Sequence, residues 1–262
     1  MRLLIAFSLI LVATISVAEG RKMLGAHEQR HWQAVGRLNF GDGFCTGSLV
    51  AVDMVVTAAH CVFANRTGVQ RLAEKIHFVA GYRLRKFADH QKAASVSVHP
   101  DYIFSRIMKS DQIATDLALV RLSGDIGKVQ PLPLAPGVAK GDEVLILSYG
   151  RDRPEILSIQ SPCLVENQRA GVAVLDCDVT YGVSGAPVMR MIDGAPHIVA
   201  VVSAMGKING QPRAFAAMLD HSLGATRRPL KRQNQFPYRF CRTPNVGSGA
   251  ELTVCPLWKA GT

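Results

Sequence analysis

"GSLVAVDMVVTAAHC", residues 47–61, decides the fold. Two short apolar runs, residues 48–52 and 54–57, flank the turn former Asp53, so the stretch reads as paired short strands. Val55, Val56 and Thr57 are β-branched and suit a strand. Two small residues then lead to His60 and Cys61. A strand end pinned by a disulfide is a firm mount for an imidazole. Working outward, similar short runs occupy residues 76–80, 94–98, 117–122, 143–149 and 172–175. Asp193-Gly194 and Asn209-Gly210 each sit between two such runs, the strongest short-range signal for a hairpin. Long amphipathic stretches are scarce, and only residues 64–76 could hold a short helix. The chain is therefore expected to be all-β, a barrel or a sandwich.

The first residues bear on compartment. Arg2 precedes an apolar run over residues 3–17, and Ser16 and Ala18 are small residues placed as at a signal-peptidase site. Residues 1–18 read as a secretory signal peptide, which predicts a secreted or periplasmic protein. The run is short for a membrane anchor, and no later stretch is apolar enough to span a bilayer. Six cysteines, Cys45, Cys61, Cys163, Cys177, Cys241 and Cys255, suit an oxidising compartment. Sequence alone leaves several connectivities open; sequential pairing, 45–61, 163–177 and 241–255, is expected. The net charge of +10 favours acidic surfaces but specifies no partner, and no specific nucleic acid is predicted.

Composition divides the mature chain. Residues 130–142, "QPLPLAPGVAKGD", read as a connector between a first half, 19–129, and a second, 130–226. Residues 227–262 open with a basic stretch and read as an extension stapled by Cys241 and Cys255.

Three side chains stand out for chemistry. "YGVSGAP", residues 181–187, presents Ser184 between glycines on a tight turn. Serine nucleophiles need a base beside the hydroxyl, a carboxylate to orient the base, and donors for the developing oxyanion. His60 can supply the base. Asp116, in "TDLALVRL" at the head of an apolar run, can supply the carboxylate.

"FCTGSLV", "VVTAAHC", "TDLALVRL" and "GVSGAP" together resemble the trypsin-like, chymotrypsin-fold serine endopeptidase family, over roughly residues 30–222. The resemblance implies two packed antiparallel six-stranded β-barrels with the active site in the cleft between them. It implies a Ser184 nucleophile, a His60 general base and an orienting Asp116, with the N–H groups of Gly182 and Ser184 as the oxyanion hole. Cys45 and Cys61 match the disulfide that braces the histidine. A protein or peptide substrate is implied, with no cofactor and no metal.

Three features depart from the family. Val183 stands where trypsin-like zymogens carry an aspartate that pairs with a newly cut N-terminus. This is closer to the bacterial branch that includes the glutamyl endopeptidases. Asp178 has the spacing of a pocket aspartate that selects Arg or Lys, and Ser203, in "AVVSAMG", lies on the strand expected to line the pocket. Glutamyl endopeptidases carry a histidine there, where this chain has Val202 and Ser203. The tail from residue 227 is the third departure.

Two other readings compete. A protease scaffold can persist as a catalytically inactive binding protein. "HEQRH", residues 27–31, also fits a zinc-protease pattern, with His27 and His31 as ligands and Glu28 as base.

Overall fold

The computed structural model describes residues 20–227 together with the backbone of 238–242 and 252–256. The signal-peptide reading of residues 1–18 lies outside the described residues, and so do the side chains of Cys241 and Cys255.

The chain opens with a two-residue strand, β1 (Lys22–Met23), and a single-turn helix, α1 (Ala26–Gln29). Six strands follow: β2 (Val35–Phe40), β3 (Gly43–Ala51), β4 (Met54–Thr57), β5 (His77–Ala80), β6 (Asp89–Val98) and, after helix α2 (Ser110–Thr115), β7 (Ala118–Leu122). They close into an antiparallel barrel in the order β2-β3-β4-β7-β6-β5. The opening stretch forms the predicted pair, with Ser48 opposite Val56 and Ala51 opposite Met54. Residues 45–51 of β3 are all buried, because one face lines the barrel and the other meets the second half. That two-sided burial explains an almost unbroken apolar run in place of alternation.

The second half holds β8 (Glu143–Gly150), β9 (Arg153–Arg169), β10 (Val172–Leu175), β11 (Pro187–Ile192), β12 (Ala195–Ile208) and β13 (Gln211–Met218), then helix α3 (Leu219–Arg227). Both Gly-containing turns are two-residue hairpins. Asp193 and Gly194 adopt φ of 50° and 78°, and Asn209 and Gly210 φ of 51° and 79°, the left-handed pair that such a turn requires.

The expectation of two six-stranded barrels is corrected. Among the described residues, one six-stranded barrel is closed. The second unit is a seven-stranded sheet, in the order β1-β9-β10-β13-β12-β11-β8, with β8 also paired to β9. The seventh strand comes from the start of the described chain: Lys22 and Met23 pair with Ile159 and Ser158. Strand β9, 17 residues long, outruns any single neighbour and so engages three. The helix expected within residues 64–76 shrinks to a 3-10 turn, Ala73–Lys75. Chain reversal at Gly68, with φ of +69°, interrupts it.

One apolar cluster fills the barrel and continues through Leu147, Tyr149, Met189 and Ile198 into the second half. Another, around Val144, Val183, Val188 and Val199, lies wholly in the second half. Helix α3 returns the chain to the first half. Buried Ser222 donates to the Ala114 carbonyl, and buried Ser97 donates to the Thr226 carbonyl at 2.5 Å. Beyond it, β14 (Tyr238–Arg242) and β15 (Leu252–Pro256) form a separate antiparallel pair.

Candidate active site

His60 lies in a 3-10 turn, Ala59–Val62, that follows β4 directly. The Cys45–Cys61 disulfide ties that turn to β3. Asp116 closes α2 and leads into β7, the neighbour of β4 in the barrel. Adjacent strand ends therefore bring the two side chains together. The His60 Nδ1 lies 2.7 Å from Asp116 Oδ2, and the His60 backbone N–H donates to Asp116 Oδ1 at 2.8 Å. The Asp116 side chain is 0% exposed and that of His60 21% exposed. A buried carboxylate is tolerable only when its oxygens are engaged. Ser203 supplies a further donor: its hydroxyl reaches Asp116 Oδ2 at 2.5 Å.

This environment sets the titration of His60. Burial opposes the positive ring, but the charge of Asp116 and its hydrogen bond outweigh burial, and the imidazole is held above its usual value of 6.5.

Ser184 sits on the turn between β10 and β11. It shares with His60 a cleft of about 1390 Å³ that runs between the barrel and the second sheet. The turn is tightly determined. Gly182 and Gly185 adopt φ of +91° and +79°, and a Cβ on Gly185 would lie 2.1 Å from Thr57 Oγ1. Gly185 N–H donates to the Val202 carbonyl at 2.8 Å, and Thr46 N–H donates to the Ser184 carbonyl at 2.9 Å. Among the described residues, neither the Gly182 nor the Ser184 N–H is given to a main-chain carbonyl.

The remaining predicted residues fare differently. Asp178 is exposed and lies outside the cleft lining. Ser203 lines the cleft, but its hydroxyl is spent on Asp116. Cys163–Cys177 is a disulfide, as is Cys45–Cys61, in agreement with sequential pairing. Of the zinc pattern, His27 and His31 lie side by side with ring centroids 5.6 Å apart, but among the described residues no third ligand joins them. Helix α1 gives way to a 3-10 turn at Arg30, and Glu28 caps the helix by accepting the Gly25 N–H at 2.8 Å. Among the described residues, the triples of possible ligands that come within reach of one another are Cys45, His60 and Cys61, and Cys163, Asp176 and Cys177. Each contains both sulfurs of a disulfide, which offer no thiolate.

Sequence reading missed Thr46. Its hydroxyl donates to the Gly182 carbonyl at 3.1 Å and accepts the Tyr149 N–H at 3.0 Å. No pattern in sequence marks a threonine beside a cysteine as a contact of a turn 136 residues away.

The family model described as Trypsin matches residues 24–220. Trypsin of Xenopus laevis is 37% identical over 139 residues, covering 50% of this chain and 53% of that protein. Serine protease 1 of Rattus norvegicus is 30% identical over 157 residues, covering 55% of each. The chain thus spans about half the length of the curated relatives it matches. Among solved structures, one titled "Structure of Glu endopeptidase in complex with MPD" superposes with a TM-score of 0.68 at 18% identity. The match covers 83% of this chain and 98% of that one. At that identity the likeness speaks to the fold. The matched model spans the barrel, the second sheet apart from β1, and all three candidate residues, and the chain belongs to the trypsin family.

Proposed function

We propose that the protein is an exported serine endopeptidase, secreted or periplasmic. The observation that carries the reading is the buried Asp116 carboxylate 2.7 Å from His60, whose ring opens on the cleft that Ser184 shares. In the proposed reaction Ser184 Oγ attacks the peptide carbonyl carbon while His60 Nε2 takes the hydroxyl proton. Asp116 keeps Nδ1 protonated and stabilises the imidazolium. The carbonyl oxygen, now an oxyanion, receives hydrogen bonds from the Gly182 and Ser184 N–H groups. The C–N bond breaks as His60 passes its proton to the leaving amine. Water, deprotonated by the same imidazole, then releases the acyl group and restores Ser184.

Charge in the cleft bears on substrate. Arg66, Arg71, Arg106, Arg151, Arg169 and Lys207 line it, against the carboxylates Asp42 and Asp111. Asp42 is already paired with Arg71 at 2.8 Å. The field favours peptides with acidic residues flanking the scissile bond. The position of Asp178 gives no support to Arg or Lys preference. Val183 supports a place beside the bacterial branch that includes the glutamyl endopeptidases.

Peptide-library cleavage combined with labelling by a serine-directed phosphonate tests the reading. Ser184→Ala is expected to lower kcat on the order of 10⁵- to 10⁶-fold and abolish labelling, with folding retained. A wild-type chain that neither cleaves nor labels would make the protein a binding protein on a protease scaffold.

A further inference from the structure

Val183 is fully buried in the apolar cluster of the second sheet, so no carboxylate at that position anchors the turn that carries Ser184. Something else must hold the two N–H groups in line, because donors that wander lose their effect on a developing oxyanion. Beside the main-chain bonds from Val202 and Arg151, two contacts to that turn come from one residue. Thr46 is fully buried at the junction of the barrel and the second sheet. Its N–H fixes the Ser184 carbonyl, and its hydroxyl fixes the Gly182 carbonyl. These carbonyls belong to Gly182 and Ser184, the two residues of the turn proposed as oxyanion donors, and both line the cleft.

The threonine is itself held from both sides. Thr57 Oγ1 donates to its carbonyl at 2.9 Å, and Tyr149 N–H donates to its hydroxyl at 3.0 Å. Tyr149 precedes the β8–β9 turn, where the Arg151 N–H donates to the Tyr181 carbonyl at 2.7 Å. The Thr46 hydroxyl is thus a donor to one element and an acceptor from another, and it sets their spacing. A valine has the same shape but can do neither. The disulfide at Cys45, one residue away, keeps this stretch of β3 from shifting.

We infer that Thr46 is a positioning residue for the oxyanion-binding turn, holding through a neutral hydroxyl the geometry that an acidic partner and a cut N-terminus hold once a trypsin-like zymogen is cleaved. The turn is then assembled by folding alone and needs no terminal ammonium. The inference rests on the serine endopeptidase reading for its catalytic consequence, but not for its structural one.

The test compares Thr46→Val, Thr46→Ser and wild type on a cleaved peptide, with hydrogen exchange of the amides around residues 182–186 followed by mass spectrometry. Thr46→Val takes this partner from the half-buried Gly182 carbonyl and the buried Tyr149 N–H. It is expected to lower kcat on the order of 10- to 100-fold, with KM within about twofold, and to speed exchange in the turn. Thr46→Ser keeps the hydroxyl and is expected to stay within about threefold of wild-type kcat. Wild-type kcat in Thr46→Val, or unchanged exchange, would overturn the role. If Thr46→Val does not fold, Thr46→Ser carries the test, and a tenfold loss there overturns it. If wild type itself neither cleaves nor labels, the endopeptidase reading fails while the exchange comparison still decides what Thr46 holds.

Discussion

His60 keeps its proton more tightly than an ordinary histidine because Asp116, itself sealed from solvent, has its negative charge within 2.7 Å of the ring. The proposed reaction uses the neutral ring, so kcat/KM should rise with pH through a midpoint above 6.5. Asp116→Asn removes the charge. The limb should then move to lower pH, and kcat should fall by about 10⁴-fold through loss of the correct tautomer. A pH–rate profile of both proteins checks this. Stability follows the same linkage. A histidine raised in the fold stabilises it fully below the unfolded value, and that contribution fades as pH climbs through the folded one. Thermal unfolding between about pH 5 and pH 9 should show this slope in wild type and lose it in Asp116→Asn.

At the scale of elements, the Cys45–Cys61 bridge joins the strand that carries Thr46 to the turn that carries His60. It closes a loop of 16 positions, for which chain entropy gives about 3 kcal/mol. The paired change Cys45→Ser, Cys61→Ser should cost about that much in urea unfolding and lower kcat as well, since both supports loosen. The elements legible in sequence were those with a local mark. β3 and β4 carried an apolar run on each side of Asp53, and the two hairpins carried Asp-Gly and Asn-Gly. What escaped was non-local. β9 carries mixed polar residues because it is only partly covered along its length. β1 is a strand only because β9 lies beside it. Helices α2 and α3 are six and nine residues long, and their order comes from tertiary contacts rather than periodicity. The three proposed triad positions stand out in sequence because each lies in a short, distinctive context. Thr46 and the turn of Ser203 toward Asp116 do not, because each depends on a partner far away in the chain.

Across the whole molecule, the net charge of +10 and the cations of the cleft act together. Charges on a cleft wall focus field lines on an incoming chain, and salt screens them over about 10 Å at 0.1 M. Peptides with acidic flanks should therefore be cleaved with a higher kcat/KM than matched neutral ones at low ionic strength. That advantage should shrink several-fold between about 20 mM and about 500 mM salt, while the neutral peptide changes little. Equal salt responses would show that the cleft exerts no steering. Among the described residues, no helix is long and apolar enough to cross a membrane.

The buried Val183 has a consequence for alkaline solution. A turn anchored by a terminal ammonium loosens once that amine, with a pKa of about 8, gives up its proton. Here the anchors are a methyl-bearing side chain in an apolar pocket and a threonine hydroxyl, and neither titrates in water's usual range. Once His60 is neutral, turnover should reach a plateau and hold it through about pH 9.5, well past the point at which an amine-dependent turn would lose its order. A falling limb near pH 8 would mean that an amine supports the site after all.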